Sequence, residues 1–504
     1  MIKLGFCGAV GEVTGSGYWL ETPRANLLID FGLFQGGRDD ESSASLAMHG
    51  EPSETGISGA KGASDWWRGG PKLQLGATHS EGRNRVIAPV QPRALAATVL
   101  THAHLDHSGR LPLLAAHGAR APVFATPATI DLAEILMLDS ARIAEEDTTR
   151  ANRRLRRAGR RELTPLYTVE DVTRVVRRFA PLPYDEVRQI APGVTLRFFE
   201  AGHILGSASI ELRIEREGDK PFVLVFSGDL GGRDAPILRD PETPPHADAV
   251  VLESTYGDRR RPARADAQAA LQALIRRAIA EQRRMIVPAF AVGRTQLLLY
   301  ELAHAFREGI LTPFPIYLDS PMATRASAIY ARHAELYDRE ARALGWHGQV
   351  PDTLRIVGSA AESRELNDNQ DFCMILSASG MCEGGRVLHH LRHNLWRENV
   401  MVILPGYMAP GTLGRQLVEG AREVEIFGEP IAVRAEIVPL EGFSAHADQQ
   451  ELLDWLAPLA AQQPRVILTH GEDPAREALA ACIQERFGLA PERPQSGESL
   501  ILDA

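Results

Sequence analysis

A chain of 504 residues, 44% hydrophobic and 24% charged, is long enough for about two to four domains with substantial cores. No run approaches the roughly 18 consecutive apolar residues of a membrane span. Met1 to Leu20 shows no basic leader with an apolar core, and the four cysteines (Cys7, Cys373, Cys382, Cys482) form no C-x-x-C pair, so a reduced, cytoplasmic protein is expected. The net charge of −10 argues against a long basic track for nucleic acid, although a cationic metal cleft on an acidic protein still attracts phosphate.

In chain order, Lys3 to Phe6, Tyr18 to Glu21 and Asn26 to Asp30 predict short strands around a Gly-rich turn. From Gly36 to Asn84 the pattern dissolves into Ser, Gly, Ala and charged residues. This reads as an irregular insert that metal binding does not need. Ala94 to Thr101 ends as a buried strand, and apolar marks from Thr129 to Leu155 recur at helical spacing. Strands are predicted at Val194 to Phe199, Ala208 to Ile214 and Phe222 to Phe226. After Glu253 helices alternate with short strands: Ala269 to Glu281, Met285 to Pro288, Thr295 to Phe306, Pro315 to Leu318 and Cys373 to Leu376. Such alternation predicts a parallel sheet with covering helices, a second α/β unit. Arg465 to Leu468 is a last strand before Thr469-His470-Gly471.

The chemistry concentrates in Thr101-His102-Ala103-His104-Leu105-Asp106-His107-Ser108-Gly109, directly after an apolar strand. Imidazole and carboxylate are the ligands Zn²⁺ takes when a position stays open for water. In extended backbone, residues two apart point the same way, so His102 and His104 can grip one ion. A turn into helix at Asp106 and His107 aims two more ligands at a neighbouring point. Burying four such groups unpaired would cost several kcal/mol each, on the order of what desolvated polar groups cost, so a core role is untenable.

The string His102-x-His104-x-Asp106-His107 resembles the second motif of the metallo-β-lactamase superfamily. Asp30 at a strand end resembles the first motif, His203 in Gly202 to Ser207 the third, and Asp229 in Ser227 to Leu230 the fourth. Leu252-Glu253-Ser254-Thr255-Tyr256-Gly257 resembles motif A of the β-CASP nucleases within that superfamily, and Gly442 to Asp448 their motif C. The likeness extends to the endonuclease subunit of the cleavage and polyadenylation specificity factor and its bacterial and archaeal relatives. It implies an α/β chain in which a four-layer αββα metallo-β-lactamase domain is split by an inserted α/β β-CASP domain. The units implied are 1–257, 258–414 and 415–504. It also implies one zinc on His102, His104 and His203, a second on Asp106, His107 and His446, Asp229 bridging, and Asp30 orienting ligands from behind. Two metals about 3.5–4 Å apart activate a bridging hydroxide and stabilise charge on both oxygens of a cleaved phosphodiester. Asp106, Glu253 and His446 are the candidate catalytic residues.

One departure stands out. In the eukaryotic relatives motif B supplies a His, shortly after Gly-Thr-Leu, that pairs with the motif A acid. Here the matching run Gly411 to Gln416 puts Gln416 there, and glutamine cannot act as a general acid. His393 or a metal-bound water is left as a substitute. The glycine-rich Ser377 to Arg386 run can hold phosphate or be an ordinary tight turn. Its similarity to a run in the β-CASP nucleases implies substrate contacts by Ser379, Gly380 and Arg386, and Pro288 to Thr295, which resembles a family loop facing the cleft, adds Arg294. Arg150 to Arg161 carries seven arginines in twelve positions. With Glu145, Glu146, Asp147 and Glu162 beside it, the run reads as a solvated helix face, an RNA-backbone patch being the alternative. The leading expectation is a zinc ribonuclease acting on single-stranded RNA, with no membrane partner and a homodimer left open. The alternatives are a β-CASP DNA nuclease, disfavoured by His446 since DNA-acting members lack a motif C His, and a small-molecule hydrolase, disfavoured by the long inserted unit.

Overall fold

The computed structural model describes residues 1–35, 79–87, 89, 91–345, 353–369, 371–409 and 411–503. Most of the 36–84 segment lies outside these. Its end, His79–Asn84, is a short helix whose Asn84 side chain accepts from Phe34 N at 2.8 Å and donates to Phe34 O at 3.0 Å.

Two sheets stack face to face. The first orders its strands as Ser499–Ile501, Lys3–Gly8, Gly17–Glu21, Asn26–Ile29, Leu95–Val99, Val123–Ala125 and Phe179–Pro181. The second runs Arg465–Thr469, Ala249–Glu253, Asp219–Phe226, Ala208–Arg216, Val194–Glu200 and Arg188–Ala191. Period-two alternation decides which faces meet. Phe222, Leu224 and Phe226 point between the sheets with Phe198, Leu212, Leu4, Leu20 and Val99, whereas Val223 and Val225 point outward. Each such buried side chain contributes about 1.5–3 kcal/mol. Outside the first sheet lie Pro127–Arg157 and Val169–Val176; outside the second lie Gln449–Ala460 and Asp473–Phe487. This is the expected four-layer αββα arrangement.

Between Ala249–Glu253 and Arg465–Thr469 the chain builds a third sheet, wholly parallel, ordered Leu354–Ile356, Ile316–Leu318, Met374–Ser377, Arg284–Pro288, Val400–Pro405 and Glu436–Leu440. Its central strands are buried along their length, as a sheet covered on both faces requires. Arg264–Ala280 and Arg294–Arg307 cover one face; Arg386–Asn394 and Leu413–Val418 cover the other. The inserted unit therefore runs past the 414 boundary expected from sequence. Glu436–Leu440 pairs in parallel with Val400–Pro405, and its Pro439 is tolerated because this is an edge strand. The second sheet is rejoined at Arg465. The two units touch where Asp131 pairs with Arg332 and His333, and where Tyr330 Oη accepts from Leu205 N at 3.2 Å. No described helix is long and apolar enough to cross a membrane.

Candidate metal centre and cleft

The chemistry-bearing residues sit on loops at the ends of strands in the first two sheets. Asn26–Ile29 ends at Asp30, Leu95–Val99 leads to His102 and His104, Asp219–Phe226 to Asp229, Ala249–Glu253 ends on Glu253, and its parallel neighbour Arg465–Thr469 leads to His470. After His104 a single helical turn, Leu105–Ser108, brings Asp106 and His107 round. That turn lies so close to the loop after Asp30 that a Cβ on Gly32 would meet Asp106 O at 1.5 Å, so only glycine fits there. Asp30 and His470 both have left-handed backbone, at φ 53° and 51°, uncommon outside glycine and concentrated at functional sites.

Two groups of ligand atoms result: His102, His104, His203 and Asp229, and Asp106, His107 and His470. Within each, the atoms lie within 4.8 Å of one another. His104 Nδ1 is 3.1 Å from both His102 Nε2 and His203 Nε2. His107 Nε2 is 3.2 Å from His470 Nε2, and His470 Nε2 is 3.6 Å from Asp106 Oδ2. Asp229 reaches both groups. Its Oδ2 stands 3.5 Å from His102 Nε2 and 3.7 Å from His203 Nε2, and its Oδ1 stands 3.3 Å from His107 Nε2 and 3.5 Å from His470 Nδ1.

Protonation tests whether this donor set fits zinc. His203 Nδ1 donates to Ala445 O at 3.2 Å, which leaves its Nε2 as a bare lone pair, and His107 Nδ1 donates to the Asp30 carboxylate at 2.8 Å, which turns its Nε2 toward the other ligands. Burial holds His102 and His203 well below the ordinary imidazole pKa and pushes His104 down to about 4, so these rings are neutral, the form that binds metal. Lone pairs facing each other at hydrogen-bond distance repel unless a cation lies between them. Asp229 Oδ1 is buried and makes no hydrogen bond among the described residues. At Asp229 burial favours the neutral acid, but His107, His470 and His102 outweigh it and hold the pKa well below the carboxylate range. At His107 burial is likewise outweighed, by Asp229 and Asp30, and its pKa rises. A convergent set of buried imidazoles and carboxylates with an orphaned oxygen fits a divalent cation. Asp30, which also accepts from Thr101 N and Thr101 Oγ1 at 2.8 Å each, fixes the ring of His107 from behind.

His446 stands elsewhere than the sequence suggested. It enters on the loop after the third sheet's last strand, its ring centroid 4.5 Å from that of His203, and its Nδ1 meets Glu253 Oε1 at 3.3 Å. It belongs to neither ligand group; the place beside Asp106 and His107 is taken by His470. The pairing of an imidazole with the motif A acid, expected near Gln416, is thus made by His446, while Gln416 lies on the helix Leu413–Val418 of the inserted unit. Glu253 is buried and braced, accepting from Leu230 N at 2.6 Å and Thr255 N at 3.2 Å. Burial lowers the pKa of His446, but Glu253 more than reverses this and raises it. The signal that could have found His470 is its position after a strand, as His102 follows Leu95–Val99. Which strand lies beside Ala249–Glu253 is a property of topology that local pattern does not carry.

The cleft, about 220 Å³, has a second wall of Phe290, Ala291, Val292, Arg294, Met381 and Tyr407 from the inserted unit. Of the four residues expected to touch substrate, only Arg294 lines it. Its guanidinium is buried, donates to Pro405 O and has no carboxylate partner among the described residues; burial pulls its pKa down to about 10. Arg386 is engaged otherwise, paired with buried Asp319 and donating to Val357 O at 3.1 Å. Ser379 Oγ accepts from Glu383 N at 3.0 Å, and Gly380 packs against Phe290, where a Cβ would meet backbone at 2.9 Å. These three shape the loop behind the wall.

A family model described as the Beta-Casp domain matches residues 295–417, and one described as the Zn-dependent metallo-hydrolase RNA specificity domain matches residues 430–493. The chain is 35% identical over 484 residues to Ribonuclease TTHA0252 of Thermus thermophilus, covering 95% of each protein. It is 33% identical over 422 residues to the transcription termination factor FttA of Thermococcus kodakarensis, covering 81% of this chain and 62% of that protein. With FttA of Methanosarcina mazei the identity is 32% over 406 residues, 78% of this chain and 61% of that protein. A crystal structure of a protein of unknown function from Enterococcus faecalis shares the fold at a TM-score of 0.50 and 14% identity, with 99% of both chains covered. With a relative matched at this identity over nearly its whole length, and both family models in chain order, the chain belongs to the β-CASP nuclease branch of the metallo-β-lactamase superfamily.

Proposed function

We propose that this protein is a ribonuclease, a two-zinc phosphodiesterase acting on single-stranded RNA. The observation that carries the reading is the Glu253-backed His446 standing in one cleft with two ligand groups that share Asp229. Similarity to a named ribonuclease over 95% of the chain supports it. One zinc would be held by His102, His104 and His203 and a second by Asp106, His107 and His470, with Asp229 between. When bound, the metals supply Lewis-acid polarisation of the phosphate and a water acidic enough to be deprotonated near neutrality.

The remaining work falls to side chains. Asp30 and Ala445 O hold His107 and His203 in the tautomers that present Nε2. His446, with Nδ1 directed at Glu253, keeps Nε2 to hold a proton for the departing ribose oxygen, which makes it the general acid. Arg294, a buried cation without a carboxylate, is suited to one phosphate oxygen. Tyr256, Tyr407 and Phe290 offer faces on which unpaired bases stack.

The test is cleavage of matched 5′-labelled single-stranded RNA and DNA by zinc-loaded wild type and by Asp106→Ala. RNA cut by wild type alone is the expected result, and fragment lengths separate internal cuts from stepwise removal of 5′ nucleotides. Preference for DNA would replace the substrate class. Two bound zinc ions with neither polymer cut would end the reading.

A further inference from the structure

The helix Pro127–Arg157 is about 46 Å long at 1.5 Å per residue. Its first half belongs to the body of the protein, where Leu136 lines the cleft beside His104 and Asp106 and Asp139 pairs with Arg325 of the inserted unit. The second half leaves the body: no residue from 142 to 166 is buried. The chain turns back at 158–162 and is clamped to the helix by Asn152, which donates to Leu163 O at 2.9 Å and accepts from Leu163 N at 2.7 Å. Helix end and return turn thereby share one tip.

That tip carries Arg150, Arg153, Arg154, Arg156, Arg157, Arg160 and Arg161, all exposed, with no acid from 150 to 161 in a chain of net charge −10. The flanking acids account for two of them: Arg150 pairs with Glu146 and Asp147, and Arg156 with Glu162. The other five make no ion pair among the described residues. The helix dipole favours cations in the last turn, which explains Arg154, Arg156 and Arg157 but not Arg153 or the two arginines of the turn. Arg150, Arg153, Arg154 and Arg157 follow the i, i+3, i+4, i+7 spacing of a single helix face. Leu136 and Arg154 are 18 residues apart, five full turns, so this face is the one that lines the cleft, about 27 Å further along the axis.

We propose that this arginine-lined tip is an exosite for the phosphodiester backbone of the RNA, gripping the strand after it leaves the cleft along the helix. The proposal rests on the ribonuclease reading for its choice of polymer. Guanidinium groups bind phosphate oxygens in pairs and are indifferent to sequence, so the tip would lengthen the footprint without altering which bases are preferred.

The test compares wild type with Arg153→Ala/Arg154→Ala/Arg157→Ala, and with the matching triple Lys variant, after equal melting temperatures show that each is folded. Substrates are an unstructured RNA of roughly 40 nucleotides and one of about four, too short to leave the cleft. For the long RNA the Ala variant should raise KM about tenfold and lower the log–log salt slope of binding by about two, with kcat unchanged. The short RNA should be cut as by wild type, and the Lys variant should recover most of the slope. An unchanged KM and slope on the long RNA overturns the proposal and leaves the tip to an acidic protein partner. Equal losses on both RNAs overturn it as well, because the effect then lies in the cleft. Anisotropy with the same long RNA reads the tip whether or not cutting occurs, so a failure of the ribonuclease reading is told apart from a failure of the exosite.

Discussion

The wall of the cleft formed by the first two sheets and the wall formed by the third handle buried polarity in opposite ways. On the first, imidazoles and carboxylates converge to hydrogen-bond distance, and His107, His203 and His446 are held from behind by Asp30, Ala445 O and Glu253. On the second, the lining is apolar and aromatic, with Arg294 as its one charged member among the described residues. Convergent buried imidazoles and carboxylates fit a cation among them, so that wall is suited to metal chemistry. An apolar wall with a single unpaired guanidinium can accept a base and a phosphate without dictating a reaction. Substitutions on the first wall should therefore act on metal content and kcat, and those on the second on KM.

The sharpest way to break this division is Asp229→Ala. Because Asp229 stands between both ligand groups, its loss should take zinc from about two ions per chain to well under one and lower the cleavage rate by at least about 10³-fold. Elemental analysis beside single-turnover rates checks this. Retention of both metals would mean that the carboxylate is no bridge.

A finer cut separates two histidines on the same wall. His470→Ala should remove about one zinc with the rate, whereas His446→Ala should keep the metals and lower kcat by about 10²–10⁴-fold, the usual range for a general acid. A substrate with a better leaving group should restore much of the His446→Ala rate and none of the His470→Ala rate. Metal loss from His446→Ala would reverse the two roles.

These two histidines also mark where sequence stops being enough. The string from His102 to His107 is legible because four ligands fall in six consecutive positions, so one strand and one turn place them all. His470 directly follows the strand Arg465–Thr469 and His446 comes five loop residues after Glu436–Leu440, and nothing local marks either one as the ligand. What does is that Arg465–Thr469 lies parallel to Ala249–Glu253, delivering His470 to the edge that holds Asp229. Arg386 lies off the cleft lining for a related reason: its partner Asp319 is 67 positions away and wholly buried, and a glycine-rich run gives no hint of it. The boundary at 414 fell short because Glu436–Leu440 is half exposed and contains a proline, which masks a strand at a sheet edge.

On the second wall, Arg294→Met keeps an unbranched apolar stem and removes the guanidinium with its charge. It should raise KM for RNA about tenfold, in line with the loss of one charge-assisted hydrogen bond, with metal content unchanged and kcat within about threefold. The buried cation costs stability in the free protein, so the variant should melt no lower than wild type. A loss of kcat without a change in KM would move Arg294 into the chemistry and blur the division between the walls.

The smallest effect tests how firmly the first wall is braced. Glu200 ends the strand before His203, is buried, and accepts from Gly202 N at 2.9 Å. Burial pushes its pKa up to about 8 from the ordinary 4.5, with Gly202 N–H and Arg239 only partly opposing. Between those two values the folded chain keeps the proton that the unfolded chain has released, so stability falls as pH rises through this window and levels off above it. Glu200→Gln retains an acceptor for Gly202 N–H and has no proton to lose. The drop in melting temperature from about pH 5 to about pH 8 should accordingly be smaller in the variant. Histidines that titrate in the same window are common to both proteins and cancel in the comparison. An equal drop would mean that Glu200 is already ionised in the folded protein, paired with Arg239 strongly enough to overcome its burial.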